Sequence, residues 1–157
     1  MRIIAGNFKG KKIFYPEDKK TRPLRDMVKE SIFNLIQHSN SFNIKIENSK
    51  ILDLFSGTGS FGLETISRGA KIVYFVENSI DALKILKRNI HKLKVIENSK
   101  IIESNCFEYF DSNNILDEKF DIIFIDPPYK EDRTNQLISS IIKKKILKEN
   151  GIIIIHR

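Results

Sequence analysis

The chain has little of what builds covalent or metallic staples. It contains one cysteine, Cys106, and three histidines, His38, His91 and His156, and it has no tryptophan. A lone cysteine excludes an intrachain disulfide and a cysteine cluster for zinc, and it points to a reducing cytosol. The three histidines lie far apart, with no second ligand at metal-binding spacing beside them, so they read as surface or packing residues and no metal is expected. Long apolar runs are also missing. Residues 1–6 offer three apolar positions where a signal peptide needs a longer core, and no segment approaches the roughly 20 residues of a membrane span. The expectation is a cytoplasmic protein that is not bound to a membrane.

What is present suits one α/β unit with a short appendage. The 157 residues are 41% hydrophobic and 30% charged, enough apolar surface for a single core and enough charge for solubility. The formal charge is +7, and it is unevenly placed. Residues 1–30 hold nine basic side chains (Arg2, Lys9, Lys11, Lys12, Lys19, Lys20, Arg22, Arg25, Lys29) against four acidic ones (Glu17, Asp18, Asp26, Glu30). A basic surface concentrated in this way attracts a polyanion better than scattered lysines do, so nucleic acid is the favoured partner.

Residues 2–5 and 11–15 read as extended runs around a glycine-flanked turn, a basic hairpin. Pro23 can open a helix, and Val28, Ile32, Leu35 and Ile36 supply its apolar stripe to about Gln37. Residues 38–49 read as a linker, which divides the chain into an appendage at 1–40 and a core at 50–157. In the core, apolar strands at 51–55, 72–76, 100–103, 120–125 and 151–156 alternate with helices. These run over 59–68, stopped by Gly69, then onward from a Ser79 cap with Leu83, Leu86 and Ile90 inward. The last covers 134–147 with Leu137, Ile138, Ile141 and Ile142 inward. The lysine run 143–145 reads as a solvated helix end. Such alternation implies a parallel sheet with helices on both faces, whose ligands bind beyond the carboxyl ends of the strands.

The unusual residues fall at those ends. Asp53-Leu54-Phe55-Ser56-Gly57-Thr58-Gly59 follows a strand and leads to Gly62, a G-x-G-x-x-G spacing, and Glu77 stands twenty positions after Gly57. Glycines there let backbone approach a nucleotide-like ligand, and an acid closing the next strand can accept from two ribose hydroxyls. Dinucleotides and S-adenosylmethionine both satisfy this pattern. Asp53 favours the sulfonium cofactor, since a carboxylate would repel a pyrophosphate. Asp53, Phe55, Ser56, Gly57, Thr58, Gly59, Gly62, Glu77 and Asn78 are the candidate cofactor residues, with Asn105 and Cys106 placed to read adenine through an amide and a backbone N–H.

Asp126-Pro127-Pro128-Tyr129 closes the fourth strand. Two prolines fix an extended backbone and remove two N–H donors, so this loop presents acceptors only. An exocyclic base amine is a poor nucleophile because its lone pair is delocalised. Accepting its two N–H bonds, through the Asp126 carboxylate and the Pro127 carbonyl, returns electron density to nitrogen. Tyr129 offers a plane on which an extruded base can stack.

On these residues the chain resembles the bacterial small-subunit ribosomal RNA guanine-N2 methyltransferase family, the RsmD type. The likeness runs through Arg2 to Gly6, Lys9 to Lys12, Arg22-Pro23 with Asp26, Val28, Glu30, Phe33 and Asn34, the 53–62 loop, Glu77, Asn105 and the 126–129 loop. It implies a class I methyltransferase fold (Rossmann-like) with S-adenosylmethionine as donor. The acceptor it implies is a guanine of 16S ribosomal RNA, within an assembling small subunit, and the enzyme would be a monomer. It also implies that Arg2, Lys9, Lys11, Lys12, Arg22 and Arg25 grip RNA, and that Arg22, Pro23 and Asp26 lie near the cofactor mouth. Leu24 and Arg25 stand where the family usually has threonines, and Met27 where arginine is common. The family continues through a further strand pair, whereas this chain stops at Arg157, so an exposed sheet edge is expected. The rival readings are an amino-methyltransferase of adenine or cytosine in DNA, a non-catalytic RNA-binding assembly factor, and a nucleotide-dependent dehydrogenase, which would leave the 126–129 loop unexplained.

Overall fold

The computed structural model describes residues 1–16, 26–38, 44–111 and 118–156. Five strands form one parallel sheet: β1 (Lys50–Leu54), β2 (Ile72–Glu77), β3 (Ser99–Glu103), β4 (Phe120–Ile125) and β5 (Leu147–Ile155). Their order is β3-β2-β1-β4-β5, so the winding direction reverses between β1 and β4. That reversal opens a crevice beyond the strand tips, the usual ligand position in such sheets.

The central strands are apolar on both faces because both are covered. On one side α1 (Asp26–His38), α2 (Ser60–Ser67) and α3 (Ile80–Leu93) pack against Ile51, Val73, Phe75, Ile122 and Phe124. On the other, α4 (Cys106–Asp111) and α5 (Thr134–Lys143) cover Leu52, Leu54, Tyr74, Val76 and Ile123. Phe61 is the keystone of the first layer, stacking on Phe124 of β4 at 3.9 Å and on Phe33 of α1 at 5.2 Å between ring centroids.

The N-terminal hairpin forms, though as one antiparallel bridge, Arg2 to Lys12, rather than a ladder. The Ile3 N–H donates to the Lys11 carbonyl and the Gly10 N–H to the Ile3 carbonyl, both at 2.9 Å. Ile3 and Ile13 are buried in the same cluster as α1, α2 and α3, so the hairpin shares their core. Its attachment rests on Gly6, which has φ +78°; a Cβ there would meet the Ser67 carbonyl oxygen at 1.9 Å. Within the expected linker, Ile46 is buried and the Asn48 N–H donates to the Gly69 carbonyl at 2.8 Å.

Four sequence expectations need correction. Leu35 is 59% exposed, because α1 turns Lys29, Phe33 and Ile36 inward. Ile142 is likewise exposed. The last helix ends at Lys143 instead of reaching residue 147: the Lys144 and Lys145 N–H groups close its end, Lys145 takes φ +54°, and β5 starts four residues before Gly151. Finally, α4 was not foreseen; Asn105 caps it, its Oδ1 accepting from the Phe107 N–H at 2.9 Å. Pro23 and the expected helix start lie outside the described residues.

Candidate active site

The cofactor turn grows directly from β1. Phe55 has φ +58°, a conformation costly for a bulky side chain, and Gly57 and Gly59 follow at +55° and +84°. The turn is fixed by Ser56 N–H to the Val76 carbonyl at 3.1 Å and Gly59 N–H to the Ser56 carbonyl at 2.8 Å. The three glycines serve different ends. A Cβ on Gly57 would meet nothing within 4 Å, so its backbone faces open space. Side chains on Gly59 and Gly62 would instead strike Leu86 at 2.5 Å and Phe75 at 2.3 Å, so these two are set by helix packing rather than by ligand approach.

Glu77 ties the turn to the tip of β2. Its Oε2 accepts from the Gly57 N–H at 2.7 Å, and its Oε1 from the N–H groups of Asn78 and Ser79 at 2.9 and 2.8 Å. Beyond it lies a cavity of about 340 Å³ lined by Asn78, Ile80, Leu83, Ser104, Asn105 and Glu108 among others. The Ser56 hydroxyl is buried without a partner among the described residues. Thr58 is buried, and its carbonyl accepts from the Asn89 amide at 3.0 Å.

Two cofactor candidates sit differently from expectation. Asp53 is only 1% exposed and does not present its carboxylate on the surface; Oδ2 accepts from the Gly62 N–H at 3.0 Å. Burial pushes its pKa well above the ordinary carboxylate value, and the negative charges of Asp126 and Glu77 push it further. Cys106 turns its thiol into the core, where burial raises the pKa to about 12; only its backbone can serve a ligand.

The acceptor loop leaves β4 beside this turn. Leu54 pairs with Ile125 in register, and the Asp126 N–H reaches the Leu54 carbonyl at 3.4 Å. Asp126 and Pro127 are half-buried, Pro128 is exposed, and Tyr129 stands wholly in solvent. A turn from the Pro128 carbonyl to the Glu131 N–H at 2.8 Å carries the chain on to Arg133, whose guanidinium lies 3.9 Å over the Phe107 ring. Phe107 meets Phe55 edge-on at 6.1 Å, so a continuous contact joins the two loops across α4.

His156 is half-buried, within its reading as a surface or packing residue, but it also contacts the candidate acceptor loop. Its backbone N–H donates to the Ile125 carbonyl at 3.0 Å, and its Nδ1 lies 2.8 Å from Asp126 Oδ1. The signal for it was its position at the tip of a strand, the same rule that exposed the other site residues.

Among the described residues, not every early basic side chain contributes a free surface charge. Lys9, Lys11 and Lys12 are exposed on the hairpin. Arg2 is exposed but pairs with Asp26 at 3.4 Å. Lys29 is fully buried between Glu64, at 3.6 Å, and the Arg2 carbonyl, at 2.9 Å. Arg22 and Arg25 lie outside the described residues. Among the described residues no group of three or more His, Cys, Asp or Glu side chains could hold a metal, and no helix is long and apolar enough to cross a membrane.

A family model described as conserved hypothetical protein 95 matches residues 1–157. Ribosomal RNA small subunit methyltransferase D of Buchnera aphidicola subsp. Baizongia pistaciae is 35% identical over 157 residues, covering 100% of this chain and 76% of that protein. The chain belongs to the methyltransferase D family. Its sheet is the class I S-adenosylmethionine-dependent methyltransferase fold, shared with methyltransferase yhhF of Escherichia coli at a TM-score of 0.83, with 26% identity over 99% of this chain and 78% of that one. A more distant relative of the fold, SMU.776, was solved in complex with SAH; it is 25% identical with a TM-score of 0.64 over 80% of this chain and 34% of that chain.

Proposed function

We propose that this chain methylates the exocyclic N2 amine of a guanine in 16S ribosomal RNA, with S-adenosylmethionine as donor. The observation that carries the reading is the meeting of two half-sites on adjacent strands, the Gly57 turn with Glu77 and the acceptor-only loop from Asp126. Membership of the methyltransferase D family supports ribosomal RNA as the substrate class.

The residues fit the donor. Gly57 faces open space, the Ser56 hydroxyl has no partner among the described residues, and the charges of Asp126 and Glu77 both act on Asp53. Those negative charges suit a cationic ligand and oppose a pyrophosphate, which disfavours the dehydrogenase reading. S-adenosylmethionine supplies an activated methyl group on a sulfonium sulfur. Glu77 would accept from the ribose hydroxyls while keeping its backbone donors, and Asn105 would meet the adenine. Asp126 and the Pro127 carbonyl would accept the two N–H bonds of the amine, holding its lone pair toward the methyl carbon. Asp126, beside the amine, would also be placed to take up the proton that the nitrogen sheds once it is methylated. Alignment is the main source of acceleration, and Tyr129 contributes by holding the base plane.

Methyl transfer to immature small ribosomal subunits, followed by mass-spectrometric mapping of modified nucleosides, tests the assignment. N2-methylguanine at one site is expected. Asp126→Ala should lower turnover by about a hundredfold or more, with cofactor affinity nearly unchanged. A methylated adenine or cytosine, or full turnover by the variant, would overturn it.

A further inference from the structure

Behind the cofactor turn, the hairpin and α3 build a surface that methyl transfer itself does not use. Asn89 of α3 is fully buried at its centre. Its Oδ1 accepts from the Phe14 N–H at 2.7 Å, and its Nδ2 donates to the carbonyls of Phe14 at 3.1 Å and Thr58 at 3.0 Å. Phe14 is therefore pinned at both backbone groups, within one side chain of the cofactor turn, yet its ring is 37% exposed. The Arg88 guanidinium lies 4.2 Å from the ring centroid and Lys92 Nζ lies 4.4 Å from it.

These cations differ from their neighbours on the outward face of α3. Lys84 pairs with Asp81 at 3.4 Å and Lys87 with Glu103 at 2.6 Å. Neither Arg88 nor Lys92 has a carboxylate within ion-pair distance among the described residues. Two cations without an ion-pair partner among the described residues, gathered on one aromatic ring, invite an anion with a flat group attached, and the Lys11 ammonium 4.9 Å from the Phe8 ring extends the same chemistry along the hairpin.

We propose that Phe14, Arg88 and Lys92 form a nucleotide-binding patch for a single-stranded RNA segment flanking the modified base. A base stacks on the outer plane of the Arg88 guanidinium, which the Phe14 ring backs, and Lys92 takes the adjoining phosphate. Asn89 fixes this patch to the candidate cofactor turn through the Thr58 carbonyl. The inference rests on the RNA reading of the preceding section.

Steady-state methyl transfer and binding of a short single-stranded RNA, each measured for the full chain and for Phe14→Leu, Arg88→Ala and Lys92→Ala, provide the test. Phe14→Leu and Arg88→Ala should each raise the RNA KM about tenfold, with kcat and cofactor affinity unchanged. Lys92→Ala should weaken RNA binding and reduce the slope of log affinity against log salt by about one. Unchanged RNA KM and salt slope would overturn the patch, as would a loss of cofactor affinity equal to the loss for RNA, which marks a purely structural role through Thr58. Failure of the unsubstituted protein to methylate RNA would instead sink the functional reading, and RNA affinity lost in the variants would still support the patch.

Discussion

His156 shows how much a single side chain can settle. Its Nδ1 lies against one Asp126 oxygen, so that with the proton on Nδ1 one carboxylate oxygen is occupied and the other is left for an amine. An asparagine places an amide N–H near the position of that ring nitrogen. His156→Asn is therefore expected to keep most of the single-turnover rate and His156→Ala to lose about tenfold of it; equal rates in the two variants would dismiss the role. Asp53 makes a second, thermodynamic prediction. Its raised pKa means that the folded chain keeps this proton to a higher pH than the unfolded chain does. Its contribution to stability is complete below the unfolded value of about 4 and is lost as pH rises through the folded value. Asp53→Asn retains an acceptor for the Gly62 N–H, so the ligand-free variant should lose less stability than the parent between acid and neutral pH. Urea midpoints with the same pH slope in both proteins would refute this.

At the scale of elements, the hairpin, α1 and α2 are bound by one buried ionic knot. Glu64 accepts from the Ile4 and Ala5 N–H groups at 2.8 and 2.9 Å and from Arg68 Nε at 3.0 Å, while Lys29 leans on it from α1. Burial lowers the Lys29 pKa despite the pull of Glu64 and Asp26. The partners are unequal: Glu64 keeps three donors without Lys29, whereas Lys29 without Glu64 is a buried cation with little compensation. Glu64→Ala should cost about 3–5 kcal/mol in chemical unfolding and Lys29→Met less than half as much; a larger cost for Lys29→Met would overturn that order. Val28, Ile32 and Ile36 of the expected α1 stripe do face the core, and this knot explains why the stripe left out Lys29. A hydrophobic period cannot register a lysine turned inward by a glutamate from another helix. The strands at 72–76 and 120–125 were legible because burial on both faces leaves an apolar run, broken in the second only by Asp121 near its start. The first half of β5, Leu147–Asn150, is mostly polar and exposed, so only its apolar end could be read. In the candidate site, the closeness of Glu77 to Gly57 was legible from their spacing, and the two do bond. The tie between His156 and Asp126 depends on β5 lying beside β4, which no local pattern records.

For the molecule as a whole, the two layers against the sheet form a core with a built-in reporter. Cys106 is 2% exposed, with its thiol held to a pKa of about 12 by burial, so the thiolate needed for alkylation is scarce in the folded state. Alkylation at neutral pH should proceed only as fast as the fold opens, and should follow the urea unfolding curve. Rapid labelling of the folded chain would contradict the packing of α4.

The reversal of winding between β1 and β4 has one more effect. Donor turn and acceptor loop spring from neighbouring strands locked at Leu54 and Ile125, so their separation is inherited from the interstrand spacing of about 4.8 Å. In the proposed reaction the main chain would act as a ruler between donor and amine, and side chains would need only to refine an alignment that the hydrogen-bond ladder has already measured out.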